Sequence, residues 1–485
     1  MHPVVAGIAL AACTSVAWAL DHGPTKAHLA PNGMLVVNGE PRFLIGLYEN
    51  PESDARLREA ISGGFNLIRC PSVRAALDRV REAGAWAWVN TGDAMDLSAD
   101  TEARKRTLAS MVQALADHPA LLIWEGPDEA LWNSWYATMQ ETDAEIDAMR
   151  REAQANASLR QIFDEAVDRY HRALWPEWQE LRSRFWAKAG KSDPHPSARI
   201  DQAAQRAARL ARGLASGMRY LRRADPRHFI WLNHAPRNSV RALREFNREV
   251  DVAGCDIYPI PYNLRTAHSD LVNMRPSSVG DYTDRMRKAA PGKACAMVLQ
   301  GFGWADLEQT PNEAASKLGV GRRPTQQEQR FMAWDAVIHG ANAILYWGTD
   351  YLKNPQSDDA RRFWQELLNV TREIRSLERF LVMPNVAPAP SLQVEEHYAS
   401  NDGTGVRIAI KQAAGQFLLV IVNENPYPVA FSVRGLPAEL EGTQLALVGN
   451  GHSGAVSVRE HAFRDGLEGF GVRLYLGAAN RGAPK

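Results

Sequence analysis

The feature that most constrains this chain is a regular alternation of short apolar runs with longer amphipathic stretches. Eight runs have the length and apolar content of buried strands. They are Phe43–Tyr48, Phe65–Cys70, Ala85–Asn90, Leu121–Glu125, Phe229–Asn233, Val252–Tyr258, Ala294–Gln300 and Ala343–Trp347. The clearest helical stretches between them are Asp54–Ser62, Val73–Ala83, Glu102–Ala116, Thr325–His339 and Ala360–Leu377. Repeated strand–helix units form parallel sheets, and eight of them predict a closed (β/α)₈ barrel, the TIM-barrel fold.

A doubly wound open sheet is the alternative for the same alternation. Nucleotide-binding sheets of that kind carry a glycine-rich phosphate loop after a strand, and none of the eight runs is followed by one. We therefore predict an α/β protein with a barrel domain over residues 34–381.

The connection after the fourth strand is much longer than the other connections. It is strongly helical and charged, and it predicts a helical hairpin inserted at residues 131–199, before a regular helix over Ile200–Leu221. Loops after barrel strands lie on the active-site face. The insertion is therefore either a solvated hairpin or a wall that offers aromatic side chains to a sugar. Those side chains are Trp132, Trp135, Tyr136, Trp175 and Trp178.

The pattern of apolar residues changes after Val382. A proline-rich link, Pro384–Pro390, ends the helical pattern, and short alternating runs follow it. The runs are Val406–Lys411, Phe417–Asn423, Ala430–Val433, Leu445–Val448 and Val472–Leu476. They predict an all-β sandwich domain over residues 385–485 that packs against the barrel.

The first residues predict export. Val4–Ala19 is mostly apolar but too short to span a membrane, and Ala17-Trp18-Ala19 has the small-x-small pattern of a cleavage site. We expect a signal peptide over residues 1–19. Leu10-Ala11-Ala12-Cys13 also resembles a lipobox, which would make Cys13 a lipid-anchored first residue. The mature protein is then periplasmic, extracellular or anchored at the cell envelope.

Composition excludes several partners and cofactors. Lys+Arg and Asp+Glu both number 56, which argues against nucleic acid or an anionic membrane as a partner. Three scattered cysteines, Cys70, Cys255 and Cys295, predict buried thiols rather than a disulfide framework. No Gly-x-Ser-x-Gly or His-Glu-x-x-His motif occurs. The histidines show no metal-ligand spacing, so we predict neither a metal site nor a cofactor.

Polar residues collect at the carboxyl ends of the predicted strands, where barrel enzymes place their chemistry. These residues are Glu49, Arg69, Glu125, Asp128, Glu129, Asn233, His234, Asp256, Tyr258, Gln300, Trp304, Trp347 and Asp350. Carboxylates can transfer protons, amides and arginine can bind hydroxyl groups, and aromatic rings can stack on sugar rings. The set therefore suits a neutral polyhydroxylated substrate. The structural alternative for each carboxylate is capping of the next helix.

At these positions the chain resembles the clan of retaining glycoside hydrolases built on a (β/α)₈ barrel. Trp124 followed by Asp128-Glu129-Ala130 matches the clan's strand-four motif, an Asp-Glu variant of Asn-Glu-Pro. Arg69, Tyr258 and Trp347 match positions on strands two, six and eight. The resemblance covers residues 34 to 380. It implies that Glu129 is the general acid/base and that Asp128 orients the substrate.

The resemblance fails at strand seven, where the clan has a nucleophilic Glu and this chain has Gln300. A neutral amide is not a carboxylate nucleophile. Three hypotheses remain: another carboxylate takes the role, the strand register is misplaced, or the protein binds sugar without cleaving it. For the second carboxylate we expect Asp256 first. The other candidates are Glu49, Glu125, Asp350 and Glu308.

We therefore predict an exported glycoside hydrolase that acts on an O-glycosidic bond of an oligo- or polysaccharide. Glu129 and Asp256 are the predicted catalytic residues, and the remaining strand-end residues bind substrate. The alternative is a non-catalytic carbohydrate-binding protein on a hydrolase scaffold.

Overall fold

The computed structural model describes residues 23–236, 238–262, 273–307, 321–353, 357–395, 405–449 and 454–480. The predicted signal peptide, Cys13 and Glu308 lie outside the described residues. Eight parallel strands close into a barrel in the order β10-β11-β4-β5-β6-β7-β8-β9, which confirms the predicted fold class. The strands are β4 (Leu44–Leu47), β5 (Leu67–Cys70), β6 (Trp86–Asn90), β7 (Leu121–Glu125), β8 (Phe229–His234), β9 (Val252–Ile257), β10 (Ala294–Gln300) and β11 (Ala343–Trp347).

Each strand is buried on both faces because the barrel has two cores. One core fills the lumen, with Trp88, Trp231 and Val298 among its members. The other lies between the strands and the surrounding helices. This double burial explains why the strands read as nearly continuous apolar runs. Cys70, Cys255 and Cys295 are buried within these walls and form no disulfide bond.

A three-stranded antiparallel sheet that the sequence did not reveal closes the amino-terminal end of the barrel. It consists of β1 (Ala27–Leu29), β2 (Leu35–Val37) and β3 (Glu40–Arg42). Leu35 and Val37 join the lumen core. The backbone N–H of Ala27 donates to the carbonyl of Arg227, just before β8, which fixes the sheet to this end.

Helices surround the barrel and build the insertion after β7. They are α1 (Asp54–Ser62), α2 (Arg74–Glu82), α3 (Thr101–Leu115), α4 (Ala130–Ala155), α5 (Ala157–His171), α6 (Trp175–Ala189), α7 (Ala203–Ala224), α8 (Val240–Phe246), α9 (Ser278–Ala289), α10 (Gln326–Ile338), α11 (Asp358–Ser376) and α12 (Glu378–Leu381). A capping box at Thr325 and Glu328 starts α10. Among the described residues, no helix is long and apolar enough to span a membrane.

The insertion differs from the predicted hairpin because it contains three helices, α4, α5 and α6. The break that separates the first two is Asn156, whose side chain caps α5 by accepting from the N–H of Ser158. The three helices enclose a core of their own, in which Trp178 is fully buried. Trp178 is therefore a packing residue and not part of a sugar-binding wall.

The carboxyl-terminal domain is a sandwich of two antiparallel sheets, ordered β12-β15-β18 and β13-β14-β19-β16-β17. Its strands are β12 (Ser391–Val394), β13 (Val406–Ala413), β14 (Gln416–Asn423), β15 (Val429–Arg434), β16 (Gln444–Val448), β17 (Ala455–Ser457), β18 (Ala462–Leu467) and β19 (Val472–Ala478). The domain packs on α10, where Arg330 donates to the carbonyl of Val472 at 2.9 Å and Phe331 meets Phe470 edge to face.

Candidate active site

The carboxyl ends of β4, β5, β6 and β11 and the segments after them border a cavity of about 710 Å³ at the barrel mouth. Tyr48, Asn50, Arg69, Asn90 and Asp350 line it. Residues on a strand alternate between the lumen and the helices. The same parity that places Trp231 in the lumen therefore brings Asn233 to the inner face of the mouth.

Glu125 forms the floor of this mouth and is fully buried. Its carboxylate accepts hydrogen bonds from Trp88 Nε1 at 3.2 Å, Asn90 Nδ2 at 2.9 Å and Tyr48 Oη at 3.3 Å. Arg69 Nε lies 3.8 Å away. Burial is the main cause that raises the pKa of Glu125 to about 7, and the neighbouring Asp128 adds to the effect while Arg69 opposes it.

Glu129 and Asp256 are close enough for their side chains to share a hydrogen bond. Asp256 is buried, and this burial together with the charge of Glu129 holds the pKa of Asp256 well above its ordinary value. Two carboxyl groups that share a hydrogen bond hold one proton between them. No glycosidic oxygen or water can lie between two groups in such contact. Asp256 is therefore poorly placed for the predicted role of a second carboxylate on the far side of the scissile bond, which requires about 5 Å or more.

Asp128 lies beside this pair at the exposed rim. Asn233 Nδ2 donates to Asp128 Oδ1 at 3.0 Å and reaches Asp256 Oδ1 at 3.4 Å, so one amide joins the two carboxyl groups. The surrounding protein raises the pKa of Asp128 by desolvation, although the residue as a whole is exposed.

The backbone at Glu129 is strained. Glu129 is the residue that precedes α4, and its φ of 48° and ψ of 32° are left-handed. A side chain other than glycine in this conformation costs about 1–2 kcal/mol. Strain of this kind concentrates at functional sites, because there the orientation of one side chain matters more than local stability.

Gln300 ends β10 opposite Trp347 of β11 and lies two residues beyond Val298 of the lumen core, so the predicted register is correct. Its side chain, however, is fully buried. Nε2 donates to the carbonyls of Ile260 and Phe302, and Oε1 accepts from the N–H of Ile260. The predicted substrate contact is therefore not present: Gln300 fastens the loop after β9 to the end of β10.

Glu49 and His234 point away from the mouth, contrary to their prediction as substrate contacts. Glu49 is buried against α1, where Arg56 approaches its two oxygens at 3.4 and 3.3 Å. His234 is buried against α8, with Nε2 2.8 Å from Asn247 Oδ1. Burial lowers the pKa of His234 to about 4, so the ring is neutral. Each residue follows an inner-face residue by one position, and alternation turns it outward.

Aromatic rings form one wall of the mouth. Tyr258 stacks on Trp347 with centroids 5.6 Å apart, and Trp304 meets Tyr258 edge-on at 6.3 Å. Trp347 is half-buried and packs against the lumen core near the carboxyl end of β11. On the insertion, Trp132 stacks on the exposed Tyr136 at 5.6 Å.

Sequence reasoning missed Tyr48, Trp88 and Asn90, which hold Glu125. Their signal was available, since Asn90 ends a predicted strand and Trp88 precedes it by two residues on the same face. Tyr48 ended the first predicted strand and points into the lumen core.

No protein-family model matches this chain, and no curated protein sequence matches it. Solved structures do match in fold. A catalytic mutant of Gan42B, a GH42 beta-galactosidase from G. stearothermophilus, matches with a TM-score of 0.51 and 10% identity over 94% of this chain and 100% of that chain. A beta-galactosidase from Bacillus circulans sp. alkalophilus matches with a TM-score of 0.51 and 9% identity, over 90% and 99% of the two chains.

A beta-galactosidase from Marinomonas ef1 matches with a TM-score of 0.42 and 13% identity over 69% of this chain, and this chain spans 60% of its length. The two matches at 0.51 show that this chain shares its fold with these two beta-galactosidases, which confirms the predicted resemblance at the level of fold. At these identities the likeness extends no further than the fold.

Proposed function

We propose that this chain is a glycosidase that hydrolyses an O-glycosidic bond of an oligo- or polysaccharide at the barrel mouth. The hydrogen-bonded pair Glu129–Asp256 carries the proposal. Such a pair keeps one proton to high pH, because the charge that remains opposes loss of the second proton. A glycosidase acid must keep its proton in this way at neutral pH.

Glu129 is the member of the pair that delivers the proton. It is partly exposed at the mouth, whereas Asp256 is buried behind it. The proton that the buried Asp256 keeps is shared with Glu129 across their hydrogen bond. Asp256 thus acts as the proton reserve of the pair, and Glu129 passes the proton to the glycosidic oxygen.

For the opposing carboxylate we propose Asp350. It is exposed, lines the mouth cavity, and follows β11, which lies diametrically opposite β7 in the closed strand order. Glu125 is less suited because it is fully buried and receives three hydrogen bonds. We therefore expect the inverting geometry, in which the two carboxyl groups stand about 6.5–9.5 Å apart with a water between them.

The test is hydrolysis of a panel of 4-nitrophenyl glycosides and polysaccharides by the mature chain, with the product anomer followed by NMR. We expect Glu129→Gln and Asp350→Asn each to lower kcat by about 100-fold or more without a change in melting temperature. Glu141→Gln, on the exposed face of α4, is the matched control and keeps wild-type turnover. Equal turnover in Glu129→Gln would refute the acid role, and a retained anomer would refute the role of Asp350.

One observation favours a second function, binding of carbohydrate without cleavage. Gln300 stands where the clan resembled by this chain has its nucleophile, and its side-chain amide is hydrogen-bonded to backbone groups. Calorimetric binding of a sugar to wild type and to Glu129→Gln with similar affinity, and no turnover by either, would establish this alternative.

We further propose that the protein is exported, on the basis of the apolar segment Val4–Ala19. Mass spectrometry of the mature chain distinguishes the forms. A chain that begins after Ala19 supports a soluble exported protein, and one that begins at a lipidated Cys13 supports an anchored one. A chain that retains Met1 contradicts both.

A further inference from the structure

A second cluster of titratable groups lies away from the mouth, between the barrel and the carboxyl-terminal domain. Asp335 lies on α10, His339 follows that helix, and Glu424 follows β14 of the sandwich. One ligand atom from each lies within 4.8 Å of the others. The three residues are far apart in sequence and come together only because the sandwich packs on α10.

The donor atoms have a spacing that suits a metal ion. His339 Nε2 lies 2.7 Å from Glu424 Oε1 and 3.8 Å from Asp335 Oδ1. Donors in a tetrahedral zinc site are about 3.3 Å apart, given bonds of about 2.0 Å. Shifts of about half an ångström, within the reach of side-chain rotation, would bring His339 Nε2 to that spacing from both oxygens.

Each of the three residues is held by an outer hydrogen bond. His339 Nδ1 lies 3.1 Å from Asp284 Oδ2, the carboxylate–histidine contact that orients metal-bound imidazoles. The N–H of Gly280 donates to Asp335 Oδ2 at 2.7 Å, and Arg407 Nε donates to Glu424 Oε1 at 2.7 Å. These bonds orient the side chains toward one another.

One atom of the cluster lacks a partner. Asp335 is fully buried, and its Oδ1 accepts no hydrogen bond. A buried carboxylate oxygen without a donor is costly. This oxygen is the one that faces His339 Nε2 and Glu424.

The charges of the cluster point to a divalent cation. Asp281, Asp284, Asp335 and Glu424 act on it, against the guanidinium groups of Arg287 and Arg407. With all four carboxyl groups ionised, two negative charges are left over, and a divalent cation bound at the cluster would offset both.

We propose that Asp335, His339 and Glu424 bind a divalent transition-metal cation, with Zn²⁺ the first choice, which ties the carboxyl-terminal domain to the barrel. One imidazole and two carboxylates form a donor set that zinc accepts, and a water completes the tetrahedron. The site is structural and independent of the chemistry at the mouth. No local spacing in the sequence reveals this site, because Glu424 belongs to another domain.

The test is titration of the full mature chain with Zn²⁺ alone, after dialysis against EDTA. Isothermal titration calorimetry should show one tight ion per chain, and Zn²⁺ should raise the melting temperature by several degrees. Asp335→Asn and Glu424→Gln should each weaken Zn²⁺ binding by at least about 100-fold, and Zn²⁺ should no longer raise their melting temperatures.

The matched control is His461→Asn. His461 and Glu441 form an exposed pair with nitrogen and oxygen 3.6 Å apart, a natural place for adventitious zinc. We expect this variant to bind Zn²⁺ as wild type does. Absence of stoichiometric binding, or the same binding in wild type, Asp335→Asn and Glu424→Gln, would overturn the proposal. Because the variants lie outside the mouth, the result is independent of whether the chain hydrolyses glycosides.

Discussion

Polar residues on the inner and outer faces of the same barrel strands have different kinds of partners. On the outer face, Glu49 meets Arg56 of α1 and His234 meets Asn247 of α8, so each group has a fixed partner. On the inner face, Glu125 and Asp256 lie among other carboxyl groups, and their pKa values rise. The outer face thus uses polar groups to fasten helices, and the inner face keeps carboxyl groups where proton transfer is favoured.

Gln300 is an exception to this difference between the two faces. Its side chain points inward, yet it is held by hydrogen bonds to backbone groups. We expect Gln300→Glu to lower the free energy of unfolding by about 3–5 kcal/mol, since a carboxylate would face the carbonyls of Ile260 and Phe302 that the amide now satisfies. Urea denaturation measures the effect, with Gln393→Glu on an exposed strand as the control. A stable, more active Gln300→Glu would show that Gln300 is a lost nucleophile rather than a fastener.

The raised pKa of Glu125 should make the free energy of unfolding depend on pH. The pKa is about 7 in the folded chain and 4.5 without the fold, so the native state binds more protons between these values. Stability from this group is full below pH 4.5 and is lost as pH rises through 7, by about 3 kcal/mol. The Glu125→Gln variant has no carboxyl group at this position, so this loss of stability with rising pH should be absent from it.

Unfolding free energies of wild type and Glu125→Gln, measured from pH 4 to 8.5, check this expectation. The variant is less stable at low pH because its amide N–H₂ faces hydrogen-bond donors, and the gap narrows as pH rises. Parallel curves would mean that Glu125 titrates normally and that the mouth does not raise its pKa.

On the outer face we expect losses of stability without losses of activity. Glu49→Gln removes the charge that Arg56 pairs with and should lower the free energy of unfolding by about 2 kcal/mol. Turnover should stay within about two-fold, since no proton transfer is assigned to this face. A large loss of kcat at unchanged stability would place Glu49 in the site after all.

The smallest effect is expected at His234. Gln in its place keeps a donor toward Asn247, so His234→Gln should cost about 1 kcal/mol of unfolding free energy and leave KM unchanged. Thermal denaturation and steady-state kinetics measure the two quantities. A raised KM would contradict the outward orientation.

Strand positions were predictable from the sequence because strands buried on both faces leave an apolar run with clear limits. Ala294–Gln300 and Leu121–Glu125 have the predicted bounds. The direction of Glu49 and His234 was also within reach, since alternation from Tyr48 and Asn233 turns each of them outward. The expectation that functional residues follow the barrel strands identifies candidate positions. The alternation of side chains along each strand then decides whether a candidate faces the lumen or the helices.

Other features depend on contacts that no local pattern encodes. The Glu129–Asp256 contact joins the segment after β7 to β9, and the hydrogen bonds of Gln300 depend on the path of the loop after β9. The break at Asn156 was missed because helix-forming residues continue on both sides of it. The first two features depend on a contact between residues that are far apart in the sequence. The third depends on one side chain, that of Asn156.

The sheet β1–β3 closes the far end of the lumen with Leu35 and Val37. Since side chains such as Trp88 and Trp231 also fill the lumen, no passage runs through the described part of the barrel. A ligand at the mouth therefore enters and leaves on the same side. If the proposed hydrolysis takes place there, the product must leave before the next substrate can enter, and slow release of the product would lower the turnover.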